Sequence, residues 1–166
     1  GWDPRDPKGN HTSAVISGVC KAGANALILG VVPTPLVPMY MLYKNACGGF
    51  MVTASHNPRD QNGIKIFCSF KGLKLLPDND VILTRAVLEV EPSTLRKLIL
   101  KGKRIDSRRE ALGLFYKFSL APKNTWTPPE LERTLFKNIT LVVDAANGSL
   151  SEIAAKIFRQ VGFGDV

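Results

Sequence analysis

Histidine and cysteine are scarce in this 166-residue chain, which holds two of the first and three of the second. The cysteines, Cys20, Cys47 and Cys68, are odd in number and lack metal-type spacing, so neither a full disulfide framework nor a thiolate metal site is expected. Each sits in an apolar context, and buried free thiols in a reducing cytoplasm are the expectation. Long hydrophobic runs are missing too: Lys, Asn, Pro or Gly interrupts each apolar stretch before it reaches the length of a membrane span. No signal peptide is expected ahead of the first strand. Aromatic residues make up 8% of the chain, and few of them stand among the basic residues, which argues against a nucleic-acid surface.

What remains is an ordinary globular composition, 45% hydrophobic and 22% charged, in a chain long enough for a proper core. The formal charge is +8. Residues 1–76 carry eight Lys or Arg against three Asp or Glu, residues 77–138 twelve against eight, and residues 139–166 two against three. The densest basic cluster, Lys97, Lys101, Lys103, Arg104, Arg108 and Arg109, is broken by Asp106 and Glu110 and reads as a solvated helical face. The surplus in the first segment counts for more, because it favours an anionic, phosphorylated ligand.

Within that segment, Gly49-Phe50-Met51-Val52-Thr53-Ala54-Ser55-His56-Asn57-Pro58 reads as a buried strand ending at a polar turn. Asn57 precedes a proline and is biased out of the helical region, so Ser55 and His56 fall on a loop at a strand's carboxyl end. Open α/β sheets bind ligands at that edge. The Ser55 hydroxyl has an imidazole (His56), an amide (Asn57) and a guanidinium (Arg59) beside it, with Lys65 on the next strand. Such a set suits phosphate better than an acyl group, because phosphoryl transfer needs positioning and positive charge. A polar turn whose Ser and Asn satisfy the local backbone is the alternative.

The rest of the chain alternates strands and helices. A helix is expected over residues 12–23, with Thr12 or Ser13 as cap and Gly23 as terminator. A strand over Ala26–Val32 follows, then a helix capped by Thr34 with Leu36, Val37, Tyr40 and Tyr43 inward. Asn62-Gly63 turns the chain into Ile64–Cys68, and so short a connection requires an antiparallel pair, which carries Lys65 back towards the serine. Pro77 opens a helix running to about Val90. Ser93 is expected to cap a basic helix ending at Gly102, and Asp106 another carrying Leu112, Phe115 and Phe118. Pro122–Thr125 reads as loop, and Thr127-Pro128-Pro129-Glu130 as a capping box for a helix holding Leu131 and Leu135. Ile139–Val143 reads as a new buried strand, and Ser149-x-x-Glu152 as the capping box of the last helix. The expected class is α/β: a mixed, mostly parallel, doubly wound Rossmann-like sheet with helices on both faces and one antiparallel strand after the loop.

Thr53-Ala54-Ser55-His56-Asn57-Pro58, followed by Asp60-x-x-Gly63-Ile64-Lys65 and preceded by Pro33-Thr34-Pro35, resembles the α-D-phosphohexomutases, the family of phosphoglucomutases and phosphomannomutases. Gly1-Trp2-Asp3-Pro4-Arg5 is similar to the family's G-x-D-x-R segment, and Val142–Gly148 to the strand and turn that open its second domain. The resemblance implies a division into residues 1–92 (core of the first domain, lacking its N-terminal segment), 93–138 (a helical bridge) and 139–166 (the start of a second, incomplete α/β domain). Both ends are therefore expected to be cut.

The resemblance also implies a chemistry. Ser55 would be a phosphoserine whose phosphate oxygen is a Mg²⁺ ligand, and it would pass its phosphoryl group to a hexose monophosphate. The hexose 1,6-bisphosphate so formed reorients and returns the other phosphoryl group. Lys65 would lie near the transferred group, and His56 would hold the sugar hydroxyl or share the proton transfer, unless it merely orders the loop. Arg5, Asn57 and Arg59 are candidate phosphate contacts, with an Arg5–Asp3 ion pair bracing the loop as the other reading of Arg5. The family's aspartate-rich metal loop, sugar-recognition loop and phosphate-binding loop have no counterpart here, so the aspartate ligands and remaining domains are expected outside this chain, and the chain alone is expected to be inactive. Among substrates, the motif fits glucose or mannose phosphates, with N-acetylglucosamine and glucosamine phosphates also possible. A serine hydrolase is disfavoured because the sequence has no G-x-S-x-G elbow and its only other histidine is His11. A basic nucleic-acid module or a catalytically silent mutase-like domain is the non-enzymatic alternative.

Overall fold

The computed structural model describes residues 1–68, 71–99, 101–121 and 135–166. In order come α1 (Asn10–Lys21), β1 (Ala26–Ile28), α2 (Leu36–Tyr43), β2 (Gly48–Val52), β3 (Ile64–Cys68), α3 (Pro77–Leu88), α4 (Pro92–Lys97), β4 (Arg104–Asp106), α5 (Arg108–Leu120), a 3-10 turn at Phe136–Asn138 and α6 (Ala154–Val161). The expected loop at Pro122–Thr125 and the capping box from Thr127 lie outside the described residues.

Two strand pairs are joined through the first residues of the chain. β1 runs parallel to β4, with Leu27 opposite Ile105. β2 runs antiparallel to β3, with Met51 opposite Lys65 and Val52 opposite Ile64. Between the pairs lies the segment Gly1–Asp3. Trp2 donates to the Gly30 carbonyl at 3.1 Å and accepts from Val32 N–H at 3.1 Å, while Asp3 N–H reaches the Val52 carbonyl at 3.1 Å. Trp2 bridges in parallel to both Val31 and Val52. The spatial order is thus β4, β1, Gly1–Asp3, β2, β3, with β3 antiparallel to its neighbour: a mixed, mostly parallel sheet, as expected. The expected strand over Ala26–Val32 is divided, because Gly30 takes a φ of 83° and interrupts the ladder.

The core lies where α2 and α5 pack on this sheet. Leu29, Val32, Leu36, Val37, Tyr40, Met41, Met51, Phe67 and Ala111 form one buried cluster. Gly49 belongs to the same contact: a Cβ there would stand 3.0 Å from Val37 Cγ1. α1 contacts β1 and β2 and buries Cys20 outside that cluster. Its start is fixed by Asp6, which is buried. The Asp6 carboxylate accepts the Asn10 and Thr12 N–H groups at 3.0 and 2.9 Å and the Thr12 hydroxyl at 2.8 Å, which places the helix start earlier than the expected Thr12 or Ser13 cap.

Several local expectations are corrected. In place of the expected helix from Ser93 to Gly102 stands the shorter α4, Pro92–Lys97, and β4 begins at Arg104. Gly102 lies close against the turn after α1: a Cβ there would sit 1.8 Å from the Ala24 carbonyl oxygen. The N-cap of α5 is Ser107, not the expected Asp106; the Asp106 carboxylate, at the end of β4, accepts Arg108 N–H at 3.1 Å. Tyr43 is 58% exposed rather than inward. Of the cysteines only Cys20 is buried; Cys47 is exposed and Cys68 half-buried. Ile139–Val143 is not a buried strand: Thr140 makes a single parallel bridge to Asp165, and Val142 is 90% exposed. Among the described residues one segment pairs with one edge of the run, and Leu141 and Val143 are only half-buried. α6 begins at Ala154 with no side-chain cap, so the Ser149 capping box is not formed.

Candidate active site

Ser55 stands three residues beyond the end of β2, exposed, at the carboxyl edge of a strand whose Met51 and Val52 are buried. Its backbone is left-handed, with φ 58°, a conformation that costs a non-glycine residue about 1–2 kcal/mol and persists only where the surroundings hold it. Two neighbouring side chains do so. The Thr53 hydroxyl accepts Ser55 N–H at 2.9 Å, and the Arg5 guanidinium donates through Nη2 to the Ser55 carbonyl at 2.6 Å. Through Nη1 the same guanidinium reaches the carbonyls of Asn57 at 3.2 Å and Gln61 at 3.4 Å. Further along the loop, Asn57 Nδ2 donates to Gln61 Oε1 at 2.9 Å.

These two contacts share one origin. Asp3, on the strand segment next to β2, is buried and accepts the Thr53 hydroxyl at 2.5 Å and Arg5 N–H at 3.1 Å. Arg5 Nε stands 3.0 Å from Asp3 Oδ2 as an ion pair. The bracing contact foreseen for Arg5 is therefore present, and its guanidinium donors lie on loop carbonyls. Thr53 was missed in the sequence. The signal available was a hydroxyl residue two positions before the serine, the spacing at which a side chain can take up a backbone N–H.

His56, Asn57 and Arg59 are exposed with Ser55 on the loop. The antiparallel register sets Lys65 opposite Met51, so it lies on the same face of the sheet, one residue into β3. Among the described residues, no hydrogen bond or ion pair engages the side chains of Ser55, His56, Arg59 or Lys65. Among the described residues His56 has no carboxylate partner, the other histidine, His11, faces Asp6 at 3.6 Å, and no hydrolase triad is assembled. No three His, Cys, Asp or Glu side chains converge among the described residues, and no helix there is long and apolar enough to cross a membrane.

A groove of about 890 Å³ lies elsewhere, along α5, lined by Tyr43, Asp106, Arg108, Arg109, Glu110 and Lys117 among others. Its carboxylates are matched. Glu110 accepts Lys44 Nζ and the Tyr40 hydroxyl, each at 2.6 Å, and these two donors lower its pKa, Lys44 foremost. Burial and the same carboxylate raise the Tyr40 phenol. Arg108 holds Asp106 down to about 2. The Tyr40–Glu110–Lys44 set ties α2 to α5 and is a brace rather than an acid–base pair.

Comparison with known proteins agrees with the motif. The family profile described as phosphoglucomutase/phosphomannomutase, alpha/beta/alpha domain I matches residues 1–92. The phosphoglucosamine mutase of Pseudomonas putida strain W619 is 35% identical over 150 residues, which is 90% of this chain and 31% of that protein. Those of Carboxydothermus hydrogenoformans and Pseudomonas aeruginosa strain LESB58 are each 33% identical, over 90% and 98% of this chain and 32% and 34% of theirs. The chain spans about a third of the length of these curated relatives. On the strength of the profile match and the ordered motifs around Ser55, the chain belongs to the α-D-phosphohexomutase family.

Proposed function

We propose that Ser55 is the phosphoryl carrier of a hexose-phosphate mutase, as part of a longer protein. In the forward half-reaction the bond between Ser55 Oγ and phosphorus breaks while a sugar hydroxyl oxygen bonds to phosphorus. The hydroxyl proton passes to a neighbouring base, for which His56 and Lys65 are this chain's candidates, and Ser55 Oγ takes up a proton as it leaves phosphorus. The bisphosphate turns over, and the second half-reaction returns the other phosphoryl group to Ser55, so phosphate moves between C1 and C6. Lys65, Arg59 and Asn57 neutralise or bind phosphoryl oxygens; Arg5 holds the loop and faces the same edge.

The observation that carries the proposal is a serine exposed on a braced loop at a strand's carboxyl end, in a chain of this family. The relatives named above are phosphoglucosamine mutases, which favours a glucosamine phosphate over the glucose or mannose phosphates suggested by the motif alone. Mg²⁺ belongs to the proposal as a charge-neutralising ion, with the Ser55 phosphate oxygen as one ligand. The described residues offer no converging carboxylates to complete its shell. For the same reason residues 1–92, 93–138 and 139–166, as first domain, bridge and start of a second domain, are proposed not to turn over substrate by themselves. A cytoplasmic site of action goes with a phosphorylated sugar as substrate.

Incubation of the full-length protein with hexose 1,6-bisphosphate tests this. Intact-mass measurement is expected to show one phosphoryl group on the wild type and none on Ser55→Ala, with isomerisation of glucosamine 6-phosphate reduced to background. A Ser55→Ala protein that still isomerises overturns the proposal, as does an unphosphorylated wild type that binds DNA in a salt-dependent manner.

A further inference from the structure

We infer that Asp3 and Thr53 are positioning residues for transfer at Ser55: Asp3, acting through the Thr53 hydroxyl and the Arg5 guanidinium, fixes the serine's backbone so that its hydroxyl meets phosphate in one orientation. This rests on the phosphoserine reading above and adds how that site is preorganised.

Both polar groups of the Ser55 backbone are held. Thr53 Oγ1 accepts its N–H at 2.9 Å and Arg5 Nη2 donates to its carbonyl at 2.6 Å. Both holders meet on the Asp3 carboxylate, Thr53 by its hydroxyl at 2.5 Å and Arg5 by Nε at 3.0 Å. Thr53 and Asp3 are 5% and 9% exposed, so water competes little for the hydrogen bond between them. A hydroxyl has a single hydrogen; given to the carboxylate, it leaves a lone pair facing the Ser55 N–H, and the charged acceptor strengthens the next link of the chain. The serine's own hydroxyl is left uncommitted among the described residues. An immobilised backbone carrying a free hydroxyl is what in-line transfer requires, since small misplacements of a reacting group cost much of the rate.

Thr53→Val keeps the shape and removes the hydroxyl, and Thr53→Ser keeps the hydroxyl. In the full-length protein, with glucosamine 6-phosphate as substrate and glucose 1,6-bisphosphate as phosphoryl donor, Thr53→Val is expected to lower kcat about 100-fold. KM is expected to stay within about threefold, and Thr53→Ser to recover most of the kcat. Should Thr53→Val fail to fold, Arg5→Lys replaces it. That variant keeps the charge but not the planar fork that grips several carbonyls, and the same split between kcat and KM is expected. Wild-type kcat in Thr53→Val, or an equal loss in Thr53→Ser, overturns the positioning role while phosphoserine in the wild type stands. An active wild type without phosphate on residue 55 overturns both.

Discussion

Two stretches of this chain look alike as sequence and differ as structure. Phe50-Met51-Val52 runs into Thr-Ala-Ser-His-Asn-Pro, and Leu141-Val142-Val143 runs into Asp-Ala-Ala-Asn-Gly. Each is an apolar triplet followed by a polar turn with left-handed residues: Ser55 in the first, Ala146 and Asn147 in the second. β2 is hydrogen-bonded on both edges, by Gly1–Asp3 and by β3, and its Met51 and Val52 are buried. Beside the second triplet stands one bridge, from Thr140 to Asp165, with Leu141 N–H donating to the Asp165 carbonyl at 2.9 Å, and Val142 is left in the open. A run of apolar residues specifies extended backbone, but only neighbours on both edges and a covered face turn it into a buried strand. The turn differs for the same reason. The Ser55 loop is pinned by a buried carboxylate on an adjacent strand, whereas Asp144 Oδ1 holds its turn only locally, through Ala146 N–H at 2.8 Å.

The sharpest break of this contrast is Met51→Ala. Met51 is 1% exposed, in the cluster with Val37, Tyr40, Met41 and Phe67, and truncation there is expected to cost about 3 kcal/mol from lost transfer and the cavity left behind. Urea unfolding of the chain measures it. A loss under about 1 kcal/mol would mean that β2 is no better packed than residues 139–143.

A smaller effect is expected at Asp6, which orders the start of α1 beside the site strand. Burial raises its pKa, but the Thr12 N–H and hydroxyl and His11 outweigh burial, and the net shift is downward from 3.8. A carboxyl whose folded pKa is depressed contributes stability that is complete above its unfolded pKa and is lost as pH falls through the folded one. Asp6→Asn is therefore expected to cost about 1 kcal/mol at neutral pH and to flatten the loss of stability below pH about 4. If the variant and the parent lose stability in parallel through that range, Asp6 is not the group that titrates.

What the sequence disclosed follows from the same physics. The Ser55 loop, the antiparallel return that carries Lys65, and α1, α2, α3 and α5 were legible because periodicity, Pro and Gly punctuation and a motif all act locally. β4 was not. Arg104-Ile105-Asp106 has one apolar residue and is exposed throughout; it is a strand because β1 offers an open parallel edge, a fact of tertiary contact. The Asp3–Thr53–Arg5 brace was half visible. Asp3 and Arg5 are two apart and suggested an ion pair, but the hydroxyl that links them to Ser55 lies 50 residues on, and only the parallel pairing of Gly1–Asp3 with β2 brings it there. The inward-facing Tyr43 failed because helical spacing does not show where a sheet ends; the ring packs instead against Tyr40 at 6.0 Å and under Lys44 Nζ at 5.5 Å.

The smallest expected effect sharpens the contrast from its other side. Val142 is 90% exposed, so Val142→Ala removes little buried area and leaves no cavity, and it is expected to shift stability by no more than about 0.5 kcal/mol. A control at Gly164 separates exposure from disorder in the same region. A Cβ there would lie 1.8 Å from the Lys137 carbonyl oxygen, so Gly164→Ala must displace the backbone that sets Phe163 against Phe136, 4.6 Å apart and stacked. Near-ultraviolet circular dichroism is expected to change for Gly164→Ala and not for Val142→Ala. If Val142→Ala is instead the costlier of the two, the apolar triplet is buried after all and the difference between the two stretches disappears.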